Sequence, residues 1–294
     1  MSLYLKFITA AFQPRSFFVP MASVILGTGL ADLVSLINGQ LFISCFVLVA
    51  LAQISLNLAN NYQSAFIDTQ RDHKFSAHVQ RLQYKLLTLT YIVTGVFVTA
   101  LIVCFVASRG LALLDGILVL LIALPLAITV RLKTLYTKQQ LTPYAMVATI
   151  FYSLCYGLLP AISSFYLHTA TVTVYSLVLA ICCALLTTLP FLSEQALTII
   201  KQTDNQTNDK PQLSENLKWQ KLILITATIC TAAAIYFLNI PLLAGIFILA
   251  LPSLVATIAT VEHLPDVDIA RSQATKVAVT TFAFWVLFTV GMLL

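Results

Sequence analysis

Charge is what this chain has least of. Only 9% of its 294 residues are Asp, Glu, Lys or Arg, while 60% are hydrophobic and the mean hydropathy is +0.94. A soluble globular domain carries about 25% charged residues, so that class is excluded. No chain of acids runs through the apolar segments, which removes the relay expected of a proton-coupled pump. Strict apolar–polar alternation is also missing, which removes a membrane β-barrel. The six cysteines (Cys45, Cys104, Cys155, Cys182, Cys183 and Cys230) all fall inside apolar runs, and none has the spacing of a metal knuckle. They read as small apolar fillers.

What is present is a series of continuous apolar runs, at roughly 17–37, 41–59, 86–107, 112–130, 144–164, 172–192, 221–238, 240–260 and 276–294. A helix needs about 20 apolar residues, each rising about 1.5 Å, to cross the hydrocarbon core. The runs therefore predict an all-α polytopic membrane protein with nine transmembrane helices, bundled around a central cavity. The first run is too long for the core of a signal peptide and lacks a clear cleavage site, so it counts as a span. Long connections fall at about 60–85 and 193–220, after the second and sixth runs. This layout suggests one domain over residues 1–294, made of two four-helix halves and a ninth helix, although no repeated identity is visible.

Basic residues orient the spans. With loops alternating between sides, one side receives 15 of the 16 Lys and Arg residues and the other only Arg109. The positive-inside rule then predicts an integral protein of a bacterial-type cell membrane, N-terminus cytoplasmic and C-terminus outside. The net charge of +5 is accounted for by this asymmetry and calls for no nucleic-acid partner.

Clustered polar chemistry is confined to two stretches, NLANNYQSAFIDTQRDHK (Asn57 to Lys74) and KQTDNQTNDKPQLSENLK (Lys201 to Lys218), both placed on the cytoplasmic side. Mg²⁺ prefers about six oxygen ligands and commonly bridges one or two carboxylates to a phosphate. Asp68, Asp72 and Asn60 in the first stretch, and Asp204 and Asp209 in the second, are candidates for such a site. Lys74, Arg81 and Lys210 are the nearby cations. On spacing alone, a solvated charged loop with no special role is the plainer reading. Each stretch also predicts a short amphipathic helix: Phe75, Val79, Leu82 and Leu86 recur at helical spacing, and Asp209 and Pro211 suit a helix start ahead of Leu213 and Leu217. Such helices either lie on the membrane surface or close over a cavity.

The first stretch resembles the N-D-Y-x-D-x-x-x-D signature of UbiA-type membrane prenyltransferases, and NLANNY is similar to the NLANDY of 1,4-dihydroxy-2-naphthoate polyprenyltransferases. The opening QPRSFFVPMASVILGTGLA (Gln13 to Ala31) and the tail ATKVAVTTFAFWVLFTVGMLL resemble that subfamily too, so the likeness covers the whole chain. It implies a helical bundle that transfers a polyprenyl chain from its diphosphate to an aromatic acceptor such as 1,4-dihydroxy-2-naphthoate, in menaquinone-type quinone biosynthesis. Mg²⁺ and acidic motifs would hold the diphosphate, and the tail would lie in an apolar tunnel open to lipid.

Carried over residue by residue, Asn60 matches the motif's Asn, Tyr62 its Tyr and Asp68 its last Asp. Asn61 and Ser64 stand where two further Asp residues are usual, and Asp72 extends the spacing by four. In the second stretch Lys210 and Leu213 match a G-K-x-T-L segment, Asp209 replaces its Gly, and Lys201 and Asn205 fall at two Asp positions. The resemblance thus implies Asp68, Asp72 and Asp204 as catalytic, and Asp68, Asp72, Asp204 and Asp209 as metal ligands. Asn57, Asn60, Asn61, Ser64, Lys74, Arg81, Lys201 and Lys210 would contact the diphosphate. The expected partners are a polyprenyl diphosphate, an aromatic acceptor and the lipid bilayer. The alternative is a non-catalytic relative that binds a prenylated quinone, a prenyl diphosphate or a partner protein.

Topology can be tested directly. Ser76→Cys and Gln206→Cys are expected to resist a membrane-impermeant thiol reagent in intact cells and to react once the membrane is opened. Labelling of either from outside would reverse the orientation.

Overall fold

The computed structural model describes residues 14–34, 37–67, 77–109, 113–135, 145–203, 210–264 and 266–294. All regular elements among them are helical. Helix α1 is Pro14–Asp32, α2 is Gly39–Tyr62 with a π-helical extension Gln63–Ile67, α3 is Ala77–Arg109 and α4 is Leu113–Leu135. Helix α5 joins Ala145–Ser153, a π turn Leu154–Leu158 and Leu159–Thr169; α6 is Val174–Thr203 and α7 is Lys210–Phe237. Helix α8 joins a 3₁₀ segment Leu242–Ala250 to Leu251–His263, and α9 is Val267–Leu293.

Helices α2 to α9 provide 8 spans long and apolar enough to cross a bilayer. Helix α1 is shorter, with its apolar stretch over Ser16–Asp32. That stretch rises about 25 Å, short of the roughly 30 Å hydrocarbon core. Among the described residues, the nine expected spans therefore appear as eight long apolar helices and one shorter apolar helix. Membrane insertion also accounts for the outward side chains. On α7, Trp219 near one end and Tyr236 and Phe237 at the other are all exposed. The stretch between them rises about 26 Å, which sets aromatic anchors close to a bilayer thickness apart.

The two expected short amphipathic helices are not separate elements. Val79, Leu82 and Leu86 belong to the first turns of α3, and Leu213 and Leu217 to the first turns of α7. No Gly or Pro interrupts the chain between Gln212 and Phe237, so nothing stops the helix from running straight into its span. Phe75 and Asp209, the remaining parts of those two readings, lie outside the described residues.

Contacts group the chain into two compact units, residues 1–17 with 43–148 and residues 18–42 with 149–294. The first unit thus holds nearly all of α2 together with α3 and α4, and the second holds most of α1 with α5 to α9. In the first unit Tyr62 and Phe66 pack with Leu82 and Leu86 of α3. Opposite faces of α3 and α4 expose Ile92, Val96, Val103, Leu120, Leu124 and Ile128, an apolar surface that requires lipid.

In the second unit α6 is central: 72% of its apolar window is buried, against 33% for α7. Phe247 of α8 meets Phe284 of α9 with ring centroids 4.5 Å apart, and Trp285 packs edge-on against Phe284 and Phe288. Pro252 lacks the N–H that would bond the carbonyl four residues back. The turns ahead of it wind as the tighter 3₁₀ form over Leu242–Ala250. Where that segment crosses α9, a Cβ on Gly291 would stand 2.1 Å from the Leu243 carbonyl oxygen. Close backbone approach at small residues is how apolar helices gain packing when lipid removes the hydrophobic drive. Gly291→Val is accordingly expected to lower thermal stability in detergent by about 1–3 kcal/mol or to prevent folding. Gly95→Ala, in open space on α3, should be neutral or slightly stabilising. Equal melting of both variants would contradict the packing at Gly291.

Candidate functional site

The polar end of α2 is built from amide side chains that are already paired. Gln53 donates from Nε2 to Asn57 Oδ1 at 3.0 Å, one helical turn on, and Asn57 donates from Nδ2 to Ser16 Oγ at 2.9 Å. Both are buried, so water cannot replace those partners, and each lost bond would leave a costly bare group. Asn57, expected as a diphosphate contact, is therefore held in a structural clamp with both ends of its amide engaged. The exposed Asn60 lies one turn further, and its Oδ1 accepts from the ammonium of Lys133 in the last turn of α4. A cation there also suits the negative end of the α4 dipole.

Beyond Asn60 the helix widens into the π turn Gln63–Ile67, a form often found at functional sites. Tyr62, which matches the motif's Tyr, turns inward: its ring packs on Phe66 with centroids 5.4 Å apart, and its hydroxyl accepts from Gln83 Nε2 at 3.1 Å. Asn61 is half-buried and Ser64 is exposed on the widened turn. Arg81 is exposed in the first turns of α3. Arg131 donates to the Tyr91 hydroxyl at 2.9 Å, and that hydroxyl also pairs with Thr134 at 3.1 Å. The structure thus brings Asn57, Asn60, Asn61 and Ser64 together along one helix end. Asp68, Asp72 and Lys74 lie outside the described residues.

The second unit has its own amide cluster, between α6 and α7. Gln220 donates from Nε2 to Asn216 Oδ1 at 2.7 Å and its Oε1 accepts from Ser193 at 3.4 Å, while Asn216 reaches Gln195 at 3.5 Å. Ser193, Gln220, Thr257 and Gln273 converge on a small pocket among α6, α7, α8 and α9. Close by in sequence, Lys221 pairs with Glu262 at 2.7 Å. Lys201 falls in the last turn of α6 and Lys210 opens α7. Asp204 and Asp209 lie outside the described residues.

Sequence reasoning passed over Gln53, Gln83, Lys133, Asn216 and Gln220. Two of these pairings were legible as Gln and Asn four residues apart on an otherwise apolar helix. Lys133 was counted only as an orienting charge, and nothing in its neighbourhood marks it as a partner of Asn60. The four acids expected as Mg²⁺ ligands, Asp68, Asp72, Asp204 and Asp209, lie outside the described residues, and the described oxygens at the end of α2 do not by themselves make a Mg²⁺ site. Asn57, Asn60, Asn61 and Ser64 are neutral, Asn57 is clamped, and Asn60 already faces an ammonium, whereas Mg²⁺ demands near-octahedral oxygen with carboxylate charge. Lys133 and Arg131 place two cationic side chains near this end of the unit.

No protein-family model matches the chain, and no curated protein sequence matches it. The fold is similar to a solved structure of a membrane prenyltransferase, digeranylgeranylglyceryl phosphate synthase. That likeness has a TM-score of 0.57 at 14% identity and covers 99% of each chain.

The amide clamp makes a test of its own. Gln53→Leu is expected to lower thermal stability by about 1–3 kcal/mol, because Asn57 Oδ1 is left buried without its donor. Adding Asn57→Leu should cost less than the sum of the two single changes. Strict additivity in the double-mutant cycle would show that the pair is not coupled.

Proposed function

We propose that the chain transfers a polyprenyl group from a polyprenyl diphosphate to an aromatic acceptor at the membrane surface. The observation that carries this reading is the fold: the likeness to a membrane prenyltransferase runs over the whole chain rather than one helical hairpin. Two further features support it. The span faces are apolar enough to live in lipid, where a prenyl tail partitions. The motif-matching end of α2 gathers amides and a cation instead of burying another apolar turn.

In this reading the diphosphate lies against the end of α2, where Lys133 and Arg131 lower the cost of its charge. Heterolysis of the allylic carbon–oxygen bond sends the electron pair to the diphosphate oxygen. Positive charge near that oxygen stabilises the leaving group as the bond breaks, which is where the chain's cations act. The allylic cation is then attacked by an electron-rich ring carbon of the acceptor, and that carbon loses its hydrogen as a proton, or its carboxyl group as CO₂, to restore the aromatic ring. Exclusion of water by the apolar surroundings keeps that cation from being quenched by hydrolysis. The acceptor class follows the sequence resemblance to 1,4-dihydroxy-2-naphthoate polyprenyltransferases, and with that acceptor the product would belong to menaquinone-type quinone biosynthesis.

A second reading, a non-catalytic binder of a prenyl diphosphate or prenylated quinone, is favoured by one observation: Asn61 and Ser64 are neutral where the motif is acidic. One assay separates the two. Membranes containing the protein are incubated with a polyprenyl diphosphate and a panel of aromatic acids, and extracts are analysed for prenylated product. Product above that of membranes lacking the protein is expected, with 1,4-dihydroxy-2-naphthoate the leading acceptor. Absence of product with every acceptor, in protein shown to be folded, would favour the binder.

A further inference from the structure

We propose that the pocket among α6, α7, α8 and α9 binds one water molecule, which ties Gln273 of α9 to the amide network of α6 and α7. Such a water is independent of the prenyl-transfer reading and of any substrate. Gln273 is the side chain that calls for it. It is only 8% exposed, yet its amide makes no hydrogen bond among the described residues, and it lines the pocket with Ser193, Gln220 and Thr257. A buried amide without partners is costly, and a bound water removes that cost.

The neighbouring groups set what binds. Thr257 spends its hydroxyl hydrogen on the Ser253 carbonyl at 2.6 Å, and Ser193 directs its own to Gln220 Oε1 at 3.4 Å. What remains on Thr257 Oγ1, Ser193 Oγ and Gln220 Oε1 is lone pairs, while Gln273 Nε2 supplies hydrogens. A water donates two hydrogens and accepts from an amide, so it answers both kinds of group. The cavity volume is about 10 Å³, close to the smallest that holds one water and too small for an aromatic ring or a prenyl chain. From Gln220 the network runs on through Asn216 at 2.7 Å to Gln195 at 3.5 Å, so the water adds a polar link between α9 and that chain of amides.

A small cation is the rival occupant, since it also takes lone pairs. Among the described residues no carboxylate lines the pocket, so a cation there would lack a counter-charge and carry its full desolvation cost. Glu262, beside the lining Val261, is already paired with Lys221 at 2.7 Å.

The purified full-length protein in detergent provides the test. A structure that resolves ordered waters is expected to show density within hydrogen-bond range of Gln273 and of Gln220 or Thr257. A pocket without density overturns the proposal. Gln273→Leu is expected to melt about 2–4 °C below wild type, because the water loses its donor. A dry pocket gives the opposite sign: leucine removes an orphaned amide, and the variant melts higher. Gln273 and Thr257 do not bond one another, so hydrogen-bonded coupling between them needs the shared water. Gln273→Leu combined with Thr257→Val should therefore lower the melting temperature by less than the sum of the single changes, and additive shifts overturn the bridge. Exchanging Na⁺ for a bulky organic cation should leave wild-type melting unchanged. Melting that rises specifically with Na⁺ assigns the pocket to a cation and overturns the water. Where Gln273→Leu does not fold, the wild-type density still decides.

Discussion

Hydrocarbon offers a peptide group nothing to hydrogen-bond with, and the organisation of this chain answers that constraint. Each backbone N–H and C=O within a span must find its partner in the same segment, which leaves helices as the workable element for continuous apolar runs. Many side-chain hydroxyls meet the same condition, although Ser163, Thr281 and Thr289 are buried without a partner. Thr90, Thr94, Thr228 and Thr231 return their hydroxyls to carbonyls one turn back, at 2.7 to 2.8 Å, so that a polar atom enters the span without an unmet bond. Helix starts outside the spans use water-facing caps instead. Asn38 accepts from the amides of Gln40 and Leu41, and Asp266 from those of Asp268 and Ile269.

Because the spans tolerate so little polarity, functional chemistry is pushed to the helix ends, and there the amides do two kinds of work. Buried pairs such as Gln53–Asn57 and Asn216–Gln220 hold one another, and Gln53 Oε1 is left buried without a partner. Exposed members such as Asn60 hold a charge at the surface. The distinction lies in burial alone: Asn57 is 8% exposed and clamped, while Asn60, one turn later, is open. A buried amide with both ends engaged costs too much to release to a ligand. An exposed one exchanges partners with water at little cost.

The class of fold was legible because hydropathy registers the solvent directly: each of the eight long apolar helices among the described residues overlaps an expected run. Helix ends were less legible. Residues 193–203 read as loop and 210–220 as part of a loop carrying a separate short helix, because they are polar, yet they continue α6 and begin α7. Helical hydrogen bonding does not stop where lipid does. The grouping of α1 with α5 to α9 was also invisible, since loop order says nothing of which faces pack. Small residues made that packing possible: a Cβ on Gly27 would stand 2.2 Å from the Ala161 carbonyl oxygen. At the site, Asn60 was readable from its motif position. Its pairing with Lys133 was not, because a contact across 73 positions leaves no local pattern.

The prenyl-transfer reading depends on where a prenyl diphosphate puts its charged end. A high-resolution structure of the purified protein with a non-hydrolysable prenyl diphosphate analogue and Mg²⁺ measures this directly. Diphosphate density is expected at the end of α2, with a phosphate oxygen in hydrogen-bond range of the Lys133 ammonium. An analogue bound away from α2 would contradict the reading.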